Sequence, residues 1–229
     1  MRRLPTLLVL CSIVLLACLA PRAAGQPTPA GPTTGLLRVQ GRTILDGAGR
    51  PARLRGVNMD TYYYAYAWNP NAPWEYADQD DIAWLDGLGV TAIRLALHWR
   101  YFESSLGFDL IDAYLDWCRQ AGIYVVLDMH ITPPAEDLTN PAIWADPAVQ
   151  QQFLDLWASI AARYATDPIV AGYDLYNEPS PPDEAQWWDL AERTVDAIRA
   201  VDAHHILFVE LPMNAGAQFR LVDDPNVVY

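Results

Sequence analysis

The chain has 229 residues, of which 28 are acidic, 15 basic and 52% apolar, and its formal charge is −13. That length suits one domain of roughly 200 residues or two small ones, with apolar residues enough for a sizeable core. Every basic residue is arginine, and so acidic a chain repels a phosphate backbone. Nucleic acid and anionic membrane surfaces are thereby excluded as general partners; an uncharged or polyhydroxyl substrate fits.

Residues 1–25, MRRLPTLLVLCSIVLLACLAPRAAG, read as a signal peptide: two arginines, an apolar core from Leu4 to Ala20, and small residues before a cut after Gly25. A rival cut is open at LLAC, where Cys18 would become the lipidated first residue of an anchored lipoprotein. The apolar core is short for a membrane span. The expectation is a secreted, extracellular protein, with no membrane contact unless Cys18 is lipidated. Residues 26–35 are a Pro/Thr/Gly linker, and 36–229 form the folded domain. Cys11 and Cys18 belong to the leader, leaving Cys118 alone in the helical pattern LIDAYLDWCRQAG, where a small core residue is expected.

LLRVQGRTILDGAGRPARLRGVN predicts a short hairpin running into a first interior strand near Leu54 to Asn58. Apolar runs then recur at TAIRLAL, IYVVLDM, IVAGYDLY and HILFVE, separated by amphipathic segments. DPAVQQQFLDLWASIAARYA sets Phe153, Trp157, Ile160 and Tyr164 at helical spacing behind an Asp146 cap and Pro147. PDEAQWWDLAERTVDAIRAV does the same with Trp187, Leu190, Ala191, Thr194 and Ile198. Strand followed by helix five times over predicts a parallel α/β sheet, with NVVY opening a sixth strand. A dinucleotide fold wants a Gly-rich turn after its first strand, and RGVNMDTYYY lacks one. Instead Asn58, His98 with Trp99, His130, Asn177 with Glu178, and Glu210 fall at strand C-termini, where (β/α)8 TIM barrels place their chemistry. The expected fold class is therefore α/β, a TIM barrel.

Glycoside hydrolysis uses two carboxyl groups across an oxocarbenium-like transition state. Glu178 sits at a strand end before Pro179, which predicts extended geometry. Asn177 beside it can donate to a sugar 2-hydroxyl. Arg94 cannot lose its proton and can hold a neighbouring carboxylate ionised, or form a structural ion pair across the barrel. His130 reads as a substrate ligand or as a histidine satisfying core backbone, and Asp128 as a residue that orients its neighbours. Seven aromatic residues between Tyr62 and Tyr76 can wall a cleft or pack the rim, with Trp99 as a further candidate. His204 and His205 precede strand 5, on the stability face, and paired histidines on a strand are lacking, so no metal and no cofactor are implied.

These elements together resemble glycoside hydrolase family 5, the cellulase family: RLRGVN its first strand, AIRLALHW its second, VVLDMH its third and YDLYNEP its fourth. The resemblance runs from about Leu36 to Tyr229. It implies that Glu178 is the general acid/base, that Asn177 and His130 bind sugar, and that Arg94 supports the nucleophile. Trp99 and Tyr62 are carried as further substrate-binding candidates. Ala96 departs from the pattern, since a proline is usual there. The implied activity is a retaining β-glycosidase, foremost an endo-β-1,4-glucanase, acting as a monomer on a β-linked polysaccharide. Mannan, xyloglucan and β-1,3-glucan are alternative substrates, and a non-catalytic carbohydrate-binding pseudoenzyme is the alternative class. The family's nucleophile is a glutamate ending strand 7. Since eight strands close a barrel, the sequence is expected to be a fragment without that strand, inactive and poorly folded alone. Glu210 is the tempting substitute, with cleft lining or a structural bond as its other reading.

Overall fold

The computed structural model describes residues 35–61, 77–213 and 218–229. It opens with a three-stranded antiparallel sheet, β1 (Arg38–Gln40), β2 (Thr43–Leu45) and β3 (Pro51–Ala52). Two hairpins thus stand where one was expected, because β3 is only two residues long and leaves almost no periodic trace. Six parallel strands follow: β4 (Gly56–Asp60), β5 (Ala92–His98), β6 (Tyr124–Ile131), β7 (Val170–Asp174), β8 (Ile206–Phe208) and β9 (Val227–Val228). β4 begins two residues later than the sequence suggests. Thr91 explains the delay: its hydroxyl donates to the Arg53 carbonyl at 2.6 Å and accepts the Arg55 N–H at 2.9 Å. The chain is tied by a side chain before the ladder starts.

The strand order is β4-β5-β6-β7-β8-β9, each strand beside its predecessor. A doubly wound sheet reverses direction part-way; a barrel advances one strand at a time. The fold is a partial (β/α) barrel, as expected. Among the described residues, four helices make the connections between strands: α1 (Gln79–Gly87), α2 (Leu106–Ala121), α4 (Pro147–Tyr164), preceded by the single turn α3 (Ala142–Ala145), and α5 (Glu184–Arg199). Between β8 and β9 the described residues contain no helix, so the fifth strand–helix unit is not formed there. Pro212 and Pro225 interrupt that stretch, and its few apolar residues do not recur at helical spacing.

α4 starts where the sequence says it should, with Asp146 accepting the Ala148 N–H at 2.8 Å and Pro147 at the first position. Phe153, Trp157, Ile160 and Tyr164 are all buried. α5 starts at a capping box in which Asp183 and Gln186 exchange bonds with each other's backbone. Its five predicted apolar-face residues are buried too. Cys118 is buried in α2, and burial pushes its thiol up to about 12, as befits a packing residue.

Two cores result. Ile93, Leu95, Leu97, Val125 and Leu127 pack outward against the helices. Ala92, Tyr124, Val126, Ala171 and Ile206 face inward, where Leu37, Val39 and Ile44 of the small sheet cover them. The strands approach closely here: a Cβ on Gly172 would lie 2.1 Å from the Ile206 carbonyl oxygen.

A buried polar knot lies just before β8, where the Tyr173 side chain of β7 reaches it. Asp202 accepts the Tyr173 hydroxyl at 2.7 Å, His205 Nδ1 at 2.6 Å, and the backbone N–H groups of His204 and His205. His204 and His205 thus sit on the stability face, as read from sequence. Burial pushes the Asp202 carboxyl up, but the His205 and Tyr173 bonds outweigh it and hold it well below the usual range. Its contribution is therefore present above the unfolded-state pKa and lost as pH falls through the folded one. Asp202→Ala should cost about 3 kcal/mol at pH 7 in urea melts of the full-length protein. That deficit should shrink below about pH 4; a deficit independent of pH would contradict the account.

Candidate active site

Alternation decides which side chains meet at the other end of the sheet. Ile93, Leu95 and Leu97 point to the helices, so Arg94 points inward. Val125, Leu127 and Met129 do likewise in β6, sending Asp128 and His130 to the same side. Arg94 and Asp174 together line the inner concavity of about 290 Å³, near Asn58.

Arg94 gathers the ends of three strands. Its Nε donates to Asp174 Oδ2 at 2.7 Å, its Nη1 lies 2.9 Å from Asp128 Oδ2, and its Nη2 donates to Glu210 Oε1 at 2.9 Å. Nη2 also donates to Asn177 Oδ1 at 3.1 Å. This fixes the Asn177 amide, because its oxygen faces a cation and its NH2 is the end left for a hydroxyl acceptor. Asp128 Oδ2 further binds His130 Nδ1 at 2.5 Å. The reading of Asp128 as an orienting residue matches this geometry. Arg94 does form cross-barrel ion pairs, and Asp174, which sequence reasoning passed over, is one of its partners. An acid inside an otherwise apolar strand was the available signal.

One guanidinium faces three carboxylates here, two of them out of water. Burial pushes the Asp128 carboxyl well above the ordinary range, with Arg94 pulling the other way. Burial and then Asp128 push Asp174 up as well. Burial works against the Arg94 charge, but Asp128, Asp174 and Glu210 outweigh it and raise its pKa. His130 is drawn down to about 4 by burial and then by Arg94. Above that pH it is a neutral imidazole whose Nδ1–H is directed to Asp128, which makes Nε2 the acceptor nitrogen.

Glu178 stands exposed just beyond β7. Its φ is 49°, in the left-handed region and not the extended one that Pro179 predicts. Such a conformation costs a non-glycine residue on the order of 1–3 kcal/mol and needs surroundings that enforce it. Glu210 supplies one restraint: its Oε2 accepts the Glu178 N–H at 2.9 Å. Pro179 supplies another, its carbonyl accepting the Met213 N–H at 2.8 Å. Two helices also brace the backbone before Glu178 and at Glu210. Trp157 Nε1 donates to the Leu175 carbonyl and Trp187 Nε1 to the Glu210 carbonyl, each at 2.9 Å.

Trp99 is buried in a 3-10 turn (Trp99–Glu103) after β5. Its indole N–H donates to the Ala135 carbonyl at 2.6 Å, and the Arg100 guanidinium stands 5.1 Å from its ring centroid. Tyr62 and the other aromatic residues up to Tyr76 lie outside the described residues. Arg94, Asn177, Glu178 and Glu210 are in direct contact, with His130 joined through Asp128; Trp99 is not part of that network.

A barrel whose strand ends hold an arginine, a histidine and an Asn-Glu pair is then placed by one comparison. The cellulase model, glycosyl hydrolase family 5, matches residues 45–228. The chain belongs to this family. A β-xylosidase of Phanerodontia chrysosporium is 29% identical over 220 residues, covering 76% of this chain and 46% of that protein. Endoglucanase C of Acetivibrio thermocellus is 29% identical over 144 residues, covering 58% and 42% respectively. The chain thus spans under half the length of these relatives. A β-glucanase structure from Saccharophagus degradans has a TM-score of 0.68 at 24% identity, over 91% of this chain and 65% of that one, and shares the fold. The family-5 match runs from β2 into β9 and so takes in every residue of the Arg94 network.

Proposed function

We propose that this chain carries the acid/base of a secreted, retaining glycoside hydrolase acting on β-linked polysaccharides, an endo-β-1,4-glucanase first among them. The observation that carries the reading is Asn177 and Glu178 side by side at the end of β7, within the family-5 match. Glu178 gives its proton to the leaving oxygen, Asn177 donates to the 2-hydroxyl, and His130 offers Nε2 to a sugar hydroxyl. The attacking carboxylate in this reading is a glutamate at the end of a seventh barrel strand, as the family resemblance implies. Endoglucanase names among the relatives, at 26–29% identity, favour glucan over mannan.

The full-length protein, assayed for reducing-end release on cellulose, mixed and β-1,3-glucans, xyloglucan, mannan and an aryl β-xyloside, tests the reading. Cleavage of the β-1,4-glucans ahead of the rest is expected. Binding to these polymers without release from any would identify a carbohydrate-binding pseudoenzyme instead.

Export is part of the proposal. Residues 1–25 fused to a reporter should carry it out of the cell, and the mature monomer should begin at Gln26. Recovery of a lipidated Cys18 from membranes would replace the secreted form by the tethered one.

A further inference from the structure

We propose that Glu210 is a positioning residue, a carboxylate strut that holds the strained backbone of Glu178 in place for catalysis. The proposal rests on the reading of Glu178 as acid/base. Glu210 follows β8, the next strand over, and its two oxygens have separate duties. Oε1 accepts from Arg94 and Oε2 accepts the Glu178 N–H, both at 2.9 Å. Its own carbonyl is bound by Trp187 Nε1 at 2.9 Å. The strut is therefore anchored at both ends, to the guanidinium that organises the strand ends and to a helix of the outer layer.

What it holds is a residue at φ 49° preceding a proline, where a left-handed conformation is doubly unfavourable. The Glu178 N–H direction follows that φ, and so does the direction in which its side chain leaves the backbone. A charged acceptor on that N–H is stronger than a neutral one. Without it the peptide can relax toward the extended region and swing the Glu178 carboxyl away from the leaving oxygen. A displacement of about 1 Å can cost about 10²-fold in rate.

The strut and the alternative, Glu210 as attacking carboxylate, make opposite demands on one substitution. Glutamine can accept the Glu178 N–H through its single carbonyl oxygen, giving up the Arg94 bond while Asp174, Asp128 and Asn177 still accept from that guanidinium, but it cannot attack an anomeric carbon. In the full-length protein, Glu210→Gln should keep activity within about tenfold of wild type, while Glu210→Ala should lose about 10²-fold in kcat with KM little changed. The alanine loss should be greatest on natural glycosides and smallest on aryl glycosides whose leaving group needs no proton. Glutamine as inactive as alanine on both substrate kinds would overturn the strut in favour of direct attack. Wild-type behaviour of the alanine variant would overturn it altogether. A parallel Glu178→Gln variant separates the two readings, because full activity there defeats the acid/base assignment and not the strut. Should Glu210→Ala fail to fold, hydrogen exchange of the Glu178 amide decides: it should be protected in wild type and in Glu210→Gln, and an amide that exchanges in wild type as fast as an unbonded one refutes the bond.

Discussion

Glu178→Gln in the full-length protein is expected to lower turnover of natural β-glucans by roughly 10²–10⁴-fold, the usual contribution of a positioned acid or base. The loss should depend on the leaving group. Departure of a sugar alkoxide needs a proton, and glutamine has none to give. An activated aryl leaving group departs unaided, so the covalent glycosyl-enzyme should still form and then accumulate, because its hydrolysis needs the same residue as a base. Mass spectrometry of the variant with an aryl glycoside reads that intermediate directly. Unchanged activity on both kinds of substrate would remove Glu178 from the mechanism. Because Glu178 is exposed and its backbone is held through its N–H, the change should leave the fold intact.

Arg94→Met should cost about 3–5 kcal/mol of stability, the penalty of stranding buried partners of a broken ion pair. Asp128 and Asp174 lie out of water on either side of the guanidinium, and neither has another cation within contact among the described residues. His130 does not substitute, since its pKa is drawn down to about 4. Both carboxyls are already pushed up by burial, and losing Arg94 raises them further. A folded pKa above the unfolded value gives stability that is full below the unfolded pKa and lost as pH rises through the folded one. The deficit of Arg94→Met should therefore be largest near neutrality and narrow as acid protonates the pair. Urea melts at pH 7 and pH 5 measure this, and a deficit that widens in acid would contradict the assignment. Arg94→Lys should recover only part of the loss, because an ammonium is a point charge and cannot address three carboxylates in a plane.

The sequence made the barrel legible through period and punctuation. Asp146-Pro147 marks a helix start unambiguously, and the inward set Arg94, Asp128 and His130 follows from alternation alone once β5 and β6 are in register. The contacts of Glu210 were not legible. They join residues 32 and 116 positions away, and nothing local specifies a bond across that distance. The left-handed Glu178 was hidden for a similar reason. Proline biases its predecessor toward extended backbone, and tertiary restraints from β8 and its loop override that bias. Asp174 was overlooked because one acid within GYDLY disturbs the apolar run too little to stand out.

Tyr173 and Asp174 are neighbours on β7, yet the first hydrogen-bonds Asp202 at the base of the sheet and the second holds Arg94 toward its upper end. One peptide bond joins the two networks. Any substitution that slides β7 along its axis loosens the scaffold and misaligns the reactive end in a single motion. Along this strand, resistance to unfolding and the alignment of the reactive end are mechanically one property.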